Sequence, residues 1–97
     1  MNIRFEWDAA KAAANLRKHG VSFELAMHVF ADPLAFSCQD RIEGGEPRWQ
    51  TLGQVDGLLL LLVAHTVRDD DDGEVIRIIS ARAATPKEIR DYERENA

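Results

Sequence analysis

The chain has 97 residues, 45% apolar and 30% charged, with a formal net charge of −5. That length accommodates one domain, residues 1–97, around a single core. The longest apolar run, residues 58–64, is far shorter than the roughly 20 residues of a membrane helix, and the lone Cys38 excludes an internal disulfide.

Five of the 17 acidic residues crowd into Asp69, Asp70, Asp71, Asp72 and Glu74, and the remaining 12 balance 12 basic ones, which leaves room for local basic patches. No signal peptide opens the chain, so a cytoplasmic protein with no membrane partner is expected. Residues 2–7 alternate Ile3, Phe5 and Trp7 against Arg4 and Glu6, the pattern of a half-buried strand. Asp8 then caps a helix whose alanine-rich body, residues 9–16, ends in Arg17, Lys18, His19 and Gly20. Basic residues in a last turn complement the helix dipole, and glycine is a common terminator. Ser22 opens a second helix with Phe23, Ala26, Met27 and Phe30 on one face, stopping before Asp32 and Pro33; His28 falls outside that stripe.

From Leu34 the pattern turns to strands. Residues 34–37 read as a short strand and 41–47, with two glycines, as a loop. Residues 48–55 alternate, setting Arg48, Gln50 and Gln54 opposite Trp49, Thr51 and Val55. Asp56-Gly57 is a two-residue hairpin signal, residues 58–65 read as a central strand apolar on both faces, and the aspartate run is a solvated hairpin tip. Residues 76–82 form a buried strand into which Arg77 and Arg82 are threaded, and an arginine there needs an anion or a carboxylate. Thr85, Pro86 and Glu88 complete a capping box for a helix over 86–95, with Glu88 and Tyr92 on one face. The order β-α-α-β-β-β-β-α predicts an α+β fold: a mainly antiparallel sheet with helices on one face and the other partly open.

No Gly-rich phosphate loop, zinc-ligand spacing or Ser/His/Asp arrangement is legible. What stands out is a set of basic and hydrogen-bonding residues at element ends: Arg17, Lys18, His19, Arg48, Arg77, Arg82 and Tyr92. The set suits phosphodiester chemistry on RNA, where the substrate's own 2′-hydroxyl attacks the phosphate and the protein positions the chain, moves a proton and stabilises charge on phosphorus. Arginine meets phosphate oxygens two at a time, and the scheme needs no metal. Each residue also has a plainer role. His19 completes a helix dipole, Tyr92 packs a helix on the sheet, and an arginine of the strand pairs with Glu88. Arg77 and Arg82, five apart, face opposite ways on an ideal strand and share a site only if a bulge re-aims one.

The string Phe5-Glu6-Trp7-Asp8, Lys11, Asn15, Lys18-His19-Gly20-Val21-Ser22-Phe23, Asp32-Pro33, Glu46-x-Arg48, Gly53, residues 76–82, then Ala84-Thr85, Glu88 and Tyr92 resembles the BrnT family of bacterial toxins over nearly the whole chain. The resemblance implies a RelE-like fold and a metal-independent endoribonuclease of a type II toxin–antitoxin module that arrests growth and uses no cofactor. It implies an RNA substrate and neutralisation by a BrnA-like ribbon-helix-helix antitoxin. DNA is then met only indirectly, through the antitoxin, and the assembly is a homodimer or a heterotetramer with it. Carried over by position, Lys18, His19, Arg48, Arg77, Arg82 and Tyr92 are the site candidates, with Glu46 weaker. The resemblance assigns no individual roles; by side-chain chemistry, Arg48 with Arg77 or Arg82 would hold the phosphate, and His19 or Tyr92 would handle the proton. Ala83 and Ile89 stand where relatives commonly carry basic residues, which predicts weaker RNA binding. A non-catalytic, partner-binding domain is the alternative.

Overall fold

The structure, a computed structural model, describes residues 2–97. Strand β1 (Asn2–Glu6) leads into α1 (Ala9–His19) and a short α2 (Phe23–Met27) that tightens into a 3-10 turn, His28–Ala31. Four strands follow, β2 (Phe36–Glu43), β3 (Glu46–Val55), β4 (Leu59–Asp70) and β5 (Gly73–Ala83), and then α3 (Pro86–Glu95). The helix ends form where local chemistry dictates. The Asp8 and Ser22 side chains accept the Lys11 and Leu25 N–H groups, Gly20 takes the left-handed conformation at φ 70°, and Thr85 and Glu88 close a reciprocal capping box.

Strands β2 to β5 form an antiparallel meander, and β1 adds to β5 in parallel, giving the order β1-β5-β4-β3-β2 with β4 at the centre. The expected loop over 41–47 is instead strand at both ends. Its two glycines form the tip of a long β2–β3 hairpin, with Gly44 at φ 60° and Gly45 at φ 79°. Positive φ at both central residues is what a tight hairpin turn with the right twist requires, and Gly-Gly meets it without strain. Asp56 and Gly57, at φ 56° and 69°, make the second such turn. The strand expected at 34–37 begins only at Phe36, after a turn, and runs to Glu43, and the one expected at 58–65 runs from Leu59 to Asp70.

One face of the sheet carries the main core. Leu61 and Val63 of β4, Val55 of β3, and Ile76, Ile78 and Ala81 of β5 pack against Val21, Phe23, Ala26 and Val29. Each large side chain buried there contributes about 1.5–3 kcal/mol of transfer free energy. Phe5, Trp7 and Phe30 close the periphery, Phe30 meeting His65 edge-on at 4.9 Å. His65 is itself buried. Its Nε2 lies 2.7 Å from Thr51 Oγ1, which lies 2.7 Å from Ser37 Oγ, and burial pushes the imidazole below its usual pKa.

The expectation that all helices share a face is corrected here. By strand alternation Phe36, Leu52 and Leu62 point away from the main core, and α3 covers that opposite side, with Tyr92 stacked on Phe36 at 6.4 Å between ring centroids. Helix α3 crosses only the end of the sheet near Leu60 and Leu62. Among the described residues no helix covers the other end of this second face.

Candidate functional site

Strand β5 carries one residue more than β4 opposite Ala64 and His65, which pair with Ser80 and Ile78 and leave Ile79 unpaired. This bulge restores a common facing for two residues five apart. Arg77 pairs with Thr66, and Arg82 with Leu62, and those β4 residues are four apart, so both arginines project from the open face. Arg48 lies one step beyond the Trp49–His65 pair and therefore faces the same way as Thr66. Across the open face runs a row of Arg48 on β3, Thr66 on β4, Arg77 on β5 and Glu6 on β1.

The next position out on β4 that faces this way is Arg68. The carboxylate of Glu6 bridges the two flanking arginines, accepting from Arg68 Nη2 at 2.8 Å and Arg77 Nη1 at 3.0 Å. These bonds, Arg68 foremost and Arg77 second, hold the Glu6 carboxyl below its ordinary pKa against an opposing effect of burial. Arg48 stands apart: its Nε is buried yet has no hydrogen-bond partner, and it makes no ion pair among the described residues. An unpaired buried donor is uncommon and calls for an explanation. Arg48 as a whole is only half-buried, so its terminal nitrogens, not the buried Nε, are what an incoming anion would meet.

The β2–β3 hairpin brings further charge to this face. Glu43 is held below the usual carboxylate range chiefly by Arg41, and also by Arg48 and by Lys11 of α1. Helix α1 lies along the part of β5 that β1 leaves unpaired. The buried Asn15 replaces a strand there, donating to the Ala81 and Val21 carbonyls at 2.8 and 3.0 Å and accepting the Ala81 N–H at 3.1 Å. That docking sets Lys11, Lys18 and His19 around an open cleft of about 240 Å³ beside Ile79 and Ser80, and Ser80 shares the facing of Arg77. His19, Lys18 and Arg17 are exposed.

Arg82 and Tyr92 have other engagements. Both terminal nitrogens of Arg82 are taken by Glu88, at 2.8 and 2.9 Å, about 13 Å along the strand from Arg77. The Tyr92 hydroxyl is buried and donates to Asp32 at 2.7 Å; burial first and that carboxylate second push its pKa up to about 12. For burial alone Asp32 would rise, but the Gln54 N–H, the Tyr92 hydroxyl and the Leu34 N–H keep it ionised. The structure thus gives both residues the task of fastening α3, in place of the proton-moving role expected for Tyr92. Sequence reasoning did not single out Glu6, Arg68, Lys11 and Asn15 as contributors, because what each of them meets here lies far away in the chain or on another element.

The Arg82–Glu88 pair carries a pH prediction. The Arg82 hydrogen bonds, foremost, lower Glu88 from 4.5 to about 2. A carboxylate depressed on folding contributes stability that is complete above its unfolded pKa and is lost as pH falls from 4.5 through about 2. After solvent screening of a partly exposed pair, Glu88→Gln should lower unfolding free energy by about 2 kcal/mol at neutral pH. Denaturant titrations of the two proteins should converge at the acid end of that window.

Over residues 7–88 the chain matches the family model described as ribonuclease toxin, BrnT, of type II toxin–antitoxin system. It is similar to the crystal structure of the Brucella abortus ribonuclease toxin BrnT, with 25% sequence identity, a TM-score of 0.66, and coverage of 87% of this chain and 99% of that one. No curated protein matches it. The family match begins just past β1 and takes in α1, α2, strands β2 to β5 and the start of α3, and on that extent the chain belongs to the BrnT family of ribonuclease toxins of type II toxin–antitoxin systems.

Proposed function

We propose that this chain is a metal-independent endoribonuclease toxin of RelE-like architecture, acting in the cytoplasm, whose open sheet face grips the scissile phosphate of RNA. The observation that carries this reading is Arg48: a half-exposed guanidinium with no ion pair among the described residues, in one cross-strand row with Arg77. Such a row places two planar forks where two nonbridging phosphate oxygens can be met at once.

In the reaction, the 2′-hydroxyl loses its proton and its oxygen forms a new bond to phosphorus. The bond from phosphorus to the 5′-oxygen breaks, and that oxygen leaves with a proton as a 5′-hydroxyl. The products are a 2′,3′-cyclic phosphate and a 5′-hydroxyl end. Negative charge grows on the phosphoryl oxygens in the transition state, and arginines fixed beforehand stabilise it without reorganisation. His19, in the cleft beside Ser80, is the group assigned to proton transfer, because an imidazole carries one nitrogen that accepts and one that donates a proton. Lys18 and Arg17, exposed on the same helix end, guide the flanking RNA backbone. The partner is a BrnA-type ribbon-helix-helix antitoxin that neutralises the toxin and contacts operator DNA on behalf of the complex.

Purified protein is expected to cleave RNA with excess EDTA present and to leave cyclic-phosphate ends, and induction of its gene alone should arrest growth. Loss of cleavage on chelation, restored by a divalent ion, would refute metal independence. A partner-binding module without catalysis is favoured by one observation, the net charge of −5 with Arg82 already neutralised by Glu88. It predicts antitoxin binding with no RNA cleavage.

A further inference from the structure

Resting on the reading above, we propose that Glu6 is a positioning residue: its carboxylate clamps Arg68 and Arg77 into one fixed pair of guanidinium groups, and Arg68 thereby joins the phosphate grip. The clamp spans three strands. Glu6 ends β1, directly opposite Arg77 on β5, while Arg68 reaches it from β4. One carboxylate oxygen serves each arginine, at 2.8 and 3.0 Å, so neither competes with the other.

Each arginine spends a single terminal nitrogen on the clamp, Nη2 of Arg68 and Nη1 of Arg77. A guanidinium has five N–H donors, so most of each fork stays available to an incoming anion. The side chains of all three residues are between about a third and a half exposed. Ion pairs at that exposure add little to folding, which leaves the geometry itself as what the clamp supplies. Two long, flexible side chains are immobilised before substrate arrives, and their freedom is not lost in the reaction step.

A carboxylate next to a phosphate also has a cost, because it repels RNA in the ground state. In the ground state that repulsion offsets part of what the clamped Arg68 gains, so removing Glu6 should move kcat more than KM. Glu6→Gln is expected to lower kcat about tenfold or more while KM changes by only about twofold to fivefold. Glu6→Asp, with a shorter carboxylate that still reaches one arginine, should recover part of kcat. The pH–rate profile should keep its shape, because a positioning group is not the proton carrier.

The deciding experiment is a double-mutant cycle on Glu6→Gln and Arg68→Ala, read both as cleavage rate and as affinity for an RNA carrying a 2′-deoxy sugar at the cleavage position, with circular dichroism confirming the fold of each variant. With the clamp, Arg68→Ala weakens binding about tenfold when Glu6 is present but only about twofold in the Glu6→Gln background, since an unclamped Arg68 contributes little. An equal effect of Arg68→Ala in both backgrounds overturns the proposal. So does a Glu6→Gln enzyme that loses the acid limb of its pH profile, because Glu6 would then be the base. If the wild type cleaves no RNA at all, the ribonuclease reading fails by itself, and the binding cycle still decides for or against the clamp.

Discussion

Replacing Arg48 by alanine is expected to reduce RNA cleavage by about 10²-fold, the usual cost of removing one fixed stabiliser of transition-state charge. The fold should be unaffected, because Arg48 forms no ion pair among the described residues and its Nε bonds to nothing there. Arg48→Lys should recover only a small part of the activity, since an ammonium keeps the charge but loses the planar fork. Arg77→Ala should show a loss of the same order, and the double variant should lose less than the product of the two, because the arginines act on one phosphate. Arg90→Ala, on the exposed side of α3, serves as the control and should cleave normally. Rates measured on a defined oligonucleotide at fixed ionic strength decide the matter.

The largest stability effect is expected at Asn15. Its side-chain amide makes three hydrogen bonds to the backbone of Val21 and Ala81, all buried, and joins α1 to the free edge of β5. Asn15→Ala leaves two carbonyls and one N–H without partners, and each unmet buried group costs about 1–3 kcal/mol. A total of about 3 kcal/mol is expected, allowing for water reaching part of the gap. For a domain of this size that corresponds to a fall in Tm of roughly 15 °C. Asn15→Asp should be worse, as it keeps the acceptor for Ala81 N–H but turns a charge toward two carbonyl oxygens. Activity should fall with stability in both, because the same contact holds Lys11, Lys18 and His19 beside Ser80.

Much of this architecture is written in local signals, and those are readable without coordinates. Asp8, Gly20, Ser22 and the Thr85–Glu88 box mark helix ends, and Asp56-Gly57 marks a turn, because each acts through the backbone within a few residues. The Gly44-Gly45 pair misleads for the same reason. Between polar residues it reads as a loop, although it is the two-residue tip of a hairpin whose strands carry little hydrophobic pattern. The placement of α3 on the second face is not legible either. Tyr92 finds Asp32 and Phe36, both more than 50 positions earlier in the chain, and no periodicity encodes such a pairing.

The candidate site divides in the same way. Arginines in a buried-looking strand draw attention by type alone, and Arg48 and Arg77 do lie on one open face. Whether Arg77 and Arg82 face together depends on the unpaired Ile79, and a bulge inserts one residue without changing composition. Glu6 looks like the ordinary polar side of an edge strand until the parallel pairing of β1 sets it against Arg77. Asn15 sits in an alanine-rich helix body where a single amide carries no pattern, so its role as a substitute strand partner emerges only from three-dimensional contact.

Salt dependence of RNA binding tests the phosphate grip most directly. Affinity for an uncleavable RNA should be measured from low to moderate salt for the wild type, Arg48→Ala, Arg77→Ala and Arg90→Ala. Each open-face variant should bind more weakly and lose about 0.7 from the slope of log affinity against log salt, the value for one phosphate contact to single-stranded nucleic acid. Arg90→Ala should keep the wild-type slope. Unchanged slopes for Arg48→Ala and Arg77→Ala would mean that RNA is held elsewhere and that the open face is not its site.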